Sequence, residues 1–109
     1  MSTSMTKDWT PLNAGTVAMV PATVGVFEIA DGDEVLEIAY AGGHSAFGLR
    51  GALQQWLDRE PGLSFRYERT NAYISRFREV LQVYINDTGR PPRNPAGTEN
   101  LPTGRIRQN

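Results

Sequence analysis

The sequence predicts an α+β domain, a small sheet of three largely antiparallel strands flanked by helices, and three observations predict it. Two β-rich runs flank Asp31-Gly32-Asp33, Leu63, Phe65 and Tyr67 alternate with polar neighbours, and apolar residues recur at helical spacing after each of these strand regions. The resulting order, β-β-α-β-α, buries one face of a short sheet under helices.

Taken in order, Met1 to Pro11 reads as a loose leader in which Trp9 is the residue suited to an apolar groove. Asn13 caps a short turn or helix through Met19, and Pro21 closes it, so residues 1–20 form an N-terminal leader. Val24, Val26, Phe27 and Ile29 are strand formers, the Asp-Gly-Asp turn reverses the chain, and Val35 to Tyr40 returns as the second strand of a hairpin. Ala41-Gly42-Gly43 ends that strand. Leu49, Leu53, Trp56 and Leu57 then predict a helix that stops at Pro61-Gly62, and Leu63, Phe65 and Tyr67 predict a strand with one buried face. From Ala72 to Asp87 the stripe Tyr73, Ile74, Phe77, Val80, Leu81, Tyr84 and Ile85 predicts an amphipathic helix, which Gly89 and Pro91 terminate. The domain is expected over residues 21–94, and residues 95–109, rich in Gly, Pro, Thr, Asn and Arg, read as a flexible tail.

Composition excludes much chemistry. A chain of 109 residues with 39% hydrophobic and 21% charged residues fits one domain with a modest core. With no cysteine and one histidine, disulfides, thiolate zinc sites, a cysteine nucleophile and multi-histidine metal centres are ruled out. No apolar run reaches the roughly 18–20 residues of a membrane helix and the N-terminus lacks a signal-peptide core, so a cytoplasmic location away from membranes is expected. The net charge of −1 argues against non-specific coating of nucleic acid, yet it is unevenly spread. Residues 1–49 hold one lysine against six acids, and residues 50–109 hold ten arginines against six acids. The arginine count follows either from genomic base composition or from use of the guanidinium fork on phosphate.

Gly25-Val26-Phe27 and Tyr40-Ala41-Gly42 fall on neighbouring strands with twelve residues between Phe27 and Tyr40. Arg50 follows Gly42 by eight residues, Glu79 is the one acid between Ala72 and Tyr84, and Pro91-Pro92-Arg93-Asn94 closes the region. In these ordered features, residues 21–94 resemble the GIY-YIG nuclease family, whose name motifs lie on the first two strands of a small antiparallel sheet. The resemblance implies that Glu79 holds one divalent ion, Mg²⁺ or Mn²⁺, that Arg50 stabilises the phosphate, and that Tyr40 orients or deprotonates water. It implies further that Gly42, Gly43 and Asn94 line the same site. A lone carboxylate with waters and phosphate oxygens suits Mg²⁺, and metal plus arginine neutralises charge developing on phosphorus.

Three positions depart from the pattern. Phe27 stands where the first motif ends in tyrosine, Gly43 where a lysine often follows the second motif, and Gln54 where a tyrosine or histidine often lies on the helix. None can take a proton at neutral pH. His44, in the loop after Gly43, is the replacement candidate for a base. Ordinary structural roles stand beside each functional one: Arg50 as a helix residue with its stem over the sheet, Glu79 as a partner of Arg76, Arg78 or Arg50, and Tyr40 as a rim aromatic.

Two functions follow. The first is a catalytically reduced domain that binds nucleic acid, DNA or RNA, or another phosphate-bearing ligand. The alternative is an active metal-dependent endonuclease or phosphodiesterase, for which Phe27→Tyr is expected to raise cleavage by restoring the phenol. A protein partner or a homo-oligomer is compatible with either, and no sequence feature specifies one.

Overall fold

The computed structural model describes residue 5 and residues 7–44 and 46–92. It is an α+β fold with seven elements: β1 (Thr10–Pro11), α1 (Ala14–Ala18), β2 (Gly25–Asp31), β3 (Glu34–Ala41), α2 (Gly48–Arg59), β4 (Ser64–Arg69) and α3 (Tyr73–Thr88). The sheet is antiparallel in the order β1-β4-β2-β3. The helices lie on both of its faces. Val17 of α1 and Leu49, Leu53 and Trp56 of α2 share one core with Phe27, Ile29 and Phe65, whereas Phe77 and Val80 of α3 share a second with Val26 and Ile38.

β2 is the central strand, paired with β3 on one side and β4 on the other, and its residues Gly25 to Ala30 are all buried. Because side chains alternate across a strand, Phe27 and Ile29 enter the α1/α2 core while Val26 faces α3. Gly25 has a packing reason: a Cβ there would lie 2.2 Å from the Glu68 carbonyl oxygen. A bulge between Ile29 and Ala30 shifts the pairing, so that Ile29 faces Glu37 and Ala30 faces Val35.

The expectation of three strands is corrected to four, because Thr10 and Pro11, read as part of a leader, form the edge strand β1. Thr10 and Pro11 pair with Phe65 and Ser64, and the Leu12 amide donates to the Leu63 carbonyl at 2.8 Å. Two residues, one of them proline, are too few to show an alternating pattern. Asn13 caps α1 as expected, its side chain accepting from the Thr16 amide while the Thr16 hydroxyl accepts from the Asn13 amide. Met5, Leu12, Val17 and Val20 are buried, so the core extends well before residue 21. The Arg66 guanidinium lies over Trp9, 4.3 Å from its ring centroid. On α3, Ile74 is exposed although it belongs to the predicted stripe.

The α3 face of β2 and β4 carries charge. Glu28 and Arg66 are cross-strand partners joined at 2.7 Å, Glu28 being almost wholly buried. Burial pushes the Glu28 carboxyl above the usual carboxylate range, against the pull of Arg66. One step along β4, Arg76 of α3 binds both oxygens of Glu68, at 2.7 and 3.1 Å, and also Glu79. The hydrogen bond from Arg76 holds the Glu68 carboxyl below its ordinary value despite partial burial.

These pairs differ in depth, and the difference is measurable. Arg66→Ala leaves a buried carboxylate uncompensated and is expected to cost about 3–5 kcal/mol. Glu79→Ala removes a half-exposed partner from an arginine that keeps Glu68, and is expected to cost less than about 1 kcal/mol. Urea denaturation of the two variants checks the ranking.

Candidate functional site

The register fixes where the motif residues lie. Gly25 faces Ala41 and Arg69, and Val26 faces Tyr40 and Glu68, so the start of β2 and the ends of β3 and β4 share one end of the sheet. Both long helices begin there. The Leu49 amide, in the first turn of α2, donates to the Thr23 carbonyl at 2.8 Å. At the start of α3, the Tyr73 hydroxyl accepts a hydrogen bond from the Gly43 amide at 3.3 Å.

Tyr40 packs against Tyr73 and Phe77 with ring centroids 5.4 Å apart in each pair. Its burial first, and the Tyr73 phenol second, hold its phenol above the ordinary value while Arg78 opposes the shift. At neutral pH Tyr40 is therefore a hydrogen-bond donor and not a phenolate base. Gly42 lies under Tyr73, where a Cβ would approach the ring to 2.9 Å. Gly43 and His44 lie in the exposed turn that follows.

The other predicted residues do not join Tyr40. Arg50, in the first turn of α2, uses its Nε to bind the Val20 carbonyl at 2.7 Å, which ties α2 to the end of α1. Gln54 lies on the exposed face of α2 and donates to Asp58 at 2.9 Å. Glu79 is on α3, across the sheet from α2, with its carboxylate held by Arg76. One Glu79 oxygen is thus engaged by a guanidinium. Among the described residues, no group of three His, Asp or Glu side chains is placed to hold a metal ion. Asn94 lies outside the described residues. Phe27 and Tyr40 also face opposite sides of the sheet, Phe27 being buried in the α1/α2 core.

What the fold does gather at this end is a set of anion-seeking groups. Neither α2 nor α3 has an acidic residue in its first turn, and neither N-cap residue, Phe47 or Ala72, makes a side-chain capping bond. Their first amides thus present the positive ends of two helix dipoles. Arg69 is exposed, has no hydrogen-bond or ion-pair partner among the described residues, and lines a cavity of about 350 Å³ with Thr23, Val24, Thr70 and Asn71. No acid occurs in residues 40–50 or 69–73. Phe47, 73% exposed, holds φ = 61° at the head of α2, a left-handed conformation that costs a bulky residue energy. Sequence reasoning missed Arg69 and Phe47. The β4 register would have exposed Arg69, but nothing local marks Phe47.

The site thus belongs to an α+β domain whose antiparallel sheet carries helices on both faces and collects two helix N-termini at one end. The chain belongs to the family described as Domain of unknown function (DUF7508), whose model matches residues 3–86. No curated protein and no solved structure matches it. Among the described residues, no helix is long and apolar enough to cross a membrane.

The placement of Phe27 reverses the expectation for Phe27→Tyr. The added hydroxyl enters an apolar core on the opposite face of the sheet from Tyr40, so the variant is expected to lose about 1–3 kcal/mol of stability and to gain no cleavage. Thermal denaturation and a plasmid-nicking assay of the same preparation check both halves.

Proposed function

We propose that this domain binds a phosphate-bearing ligand, nucleic acid in the first place, at the Gly25–Ala41–Arg69 end of the sheet, and that it does so without hydrolysis. The observation that carries the reading is that two helix N-termini, both without a first-turn acid, lie at the same end of the sheet as Arg69, whose side chain has no partner among the described residues. Backbone amides at helix starts bind phosphate oxygens directly, and an arginine fork adds a charge-assisted pair. Thr23, Thr70 and Asn71 supply further neutral donors along the cavity wall. Phe47 offers an exposed ring on which a base stacks.

The resemblance to GIY-YIG nucleases supports the same end of the sheet, because its two motif strands are the paired β2 and β3. The chemistry of turnover has less support. Tyr40 is a donor and not a base, Glu79 is held by Arg76 on the other side of the sheet from Arg50, and Arg50 has committed its Nε to Val20. Binding with the fold retained and hydrolysis lost accounts for all three.

The test is fluorescence anisotropy with short single-stranded DNA and RNA across a salt series. Affinity is expected to fall with salt with a slope set by the few phosphates contacted, and Arg69→Ala to lower that slope by about one. A flat salt response contradicts nucleic-acid binding. Nicking that requires Mg²⁺ or Mn²⁺ and is lost in Glu79→Gln would favour the endonuclease instead.

A further inference from the structure

We propose that a second cavity, at the hairpin end of the molecule, binds a small organic cation bearing a primary ammonium or guanidinium group. The cavity holds about 340 Å³ between the β2–β3 turn, β4 and the last turn of α3, and Glu28, Asp33, Arg66, Asp87, Trp9 and Tyr84 are among the residues that line it. It lies at the opposite end of the strands from Gly25, and the proposal is independent of phosphate binding there.

The buried member of this set points to a ligand. The Glu28 side chain is 4% exposed, and Arg66 Nε binds its Oε1 alone. Its second oxygen, Oε2, has no hydrogen-bond partner among the described residues. A buried carboxylate oxygen without a donor is costly, and an N–H group from a ligand removes that cost. Arg66 is already engaged, with its Nη1 donating to the Lys7 carbonyl at 3.3 Å and its plane over Trp9.

Charge selects a cation. Arg66 offsets Glu28, which leaves Asp33 and Asp87 as net negative charge at the mouth, both exposed and neither paired among the described residues. The last turn of α3 has no basic residue to offset the negative end of its helix dipole. Shape selects an organic one. The carboxylates are spread around the wall, and no three acidic or histidine side chains among the described residues converge on one metal ion. An elongated amine reaches dispersed carboxylates with its polar end groups, and its methylene chain packs against the rings of Trp9 and Tyr84.

The experiment is an amide-shift titration of the isotope-labelled full chain with agmatine and with putrescine, using choline and Mg²⁺ as comparisons. Saturable shifts at Gly32, Asp33, Asp87 and the Trp9 indole are expected with both amines. The double variant Asp33→Asn/Asp87→Asn changes only exposed positions, so its spectrum elsewhere reports an intact fold, and it is expected to bind about tenfold more weakly or less. Glu28→Gln, if folded, is expected to weaken binding as well. The proposal is overturned if neither amine gives a saturable shift, if choline or Mg²⁺ matches them, or if the double variant binds as tightly as the wild type.

Discussion

The pairing of β2 with β3 and β4 in a single register is the constraint on which the other arrangements depend. β2 is covered by helices on both faces, so each of its side chains must suit one of two different interiors. A slip of one residue would send Glu28 into the α1/α2 core and Phe27 against α3. The buried ion pair opposes that slip, because Arg66 stands directly across from Glu28 only in the observed register. Gly25 opposes it too, since no larger residue can pass the Glu68 carbonyl at this crossing. The same pairing carries the ends of three strands to one place and positions the starts of α2 and α3 around them.

From this follows a division of charge along the strand axis. The end with Gly25, Ala41 and Arg69 has helix N-termini, an arginine whose side chain has no partner among the described residues, and no acid in its loops. The opposite end has Asp31, Asp33 and Glu34 in the hairpin and Asp87 where α3 finishes. A net charge of −1 conceals this polarity, which is why the overall pI says little about the local charge at either end. Between the two ends, the Glu68–Arg76–Glu79 group is satisfied internally. The carboxyl of Glu68, held low by Arg76, contributes stability that is present above its unfolded value and is lost as pH falls through the folded one. Glu28, held high by burial, has the opposite sign, its contribution being lost as pH rises through its folded value.

Much of this fold was legible in the sequence, because its main elements carry strong local signals. The hairpin turn, the alternation of β4, the Asn13 cap and the stripe of α3 each state one periodicity or one cap, and α3 begins and ends within a residue of its predicted bounds. β1 was not legible, since a two-residue strand ending in proline has no period and exists only because β4 offers it an edge. The candidate site was legible in part. Strand patterning placed Tyr40 on the second hairpin strand with Gly42 at its end, as observed, but spacing along a chain does not say which face a side chain takes. The parity of the β2–β3 register, which sets Phe27 and Tyr40 back to back, appears only once the strands are paired. Arg69 escaped notice for the same reason, being remote in sequence from the motifs and adjacent to Gly25 in the sheet.

The proposed phosphate site is the end of the sheet shared by Gly25, Ala41 and Arg69. Mapping amide shifts during titration of a short single-stranded DNA tests it most directly. Phosphate binding at this end is expected to give shifts at Val24, Gly43, Gly48, Leu49, Arg69 and Asn71, without added metal and with Glu79 undisturbed. Shifts centred on Glu79 and Arg76 that require Mg²⁺, with the α2 and α3 N-termini silent, would contradict it.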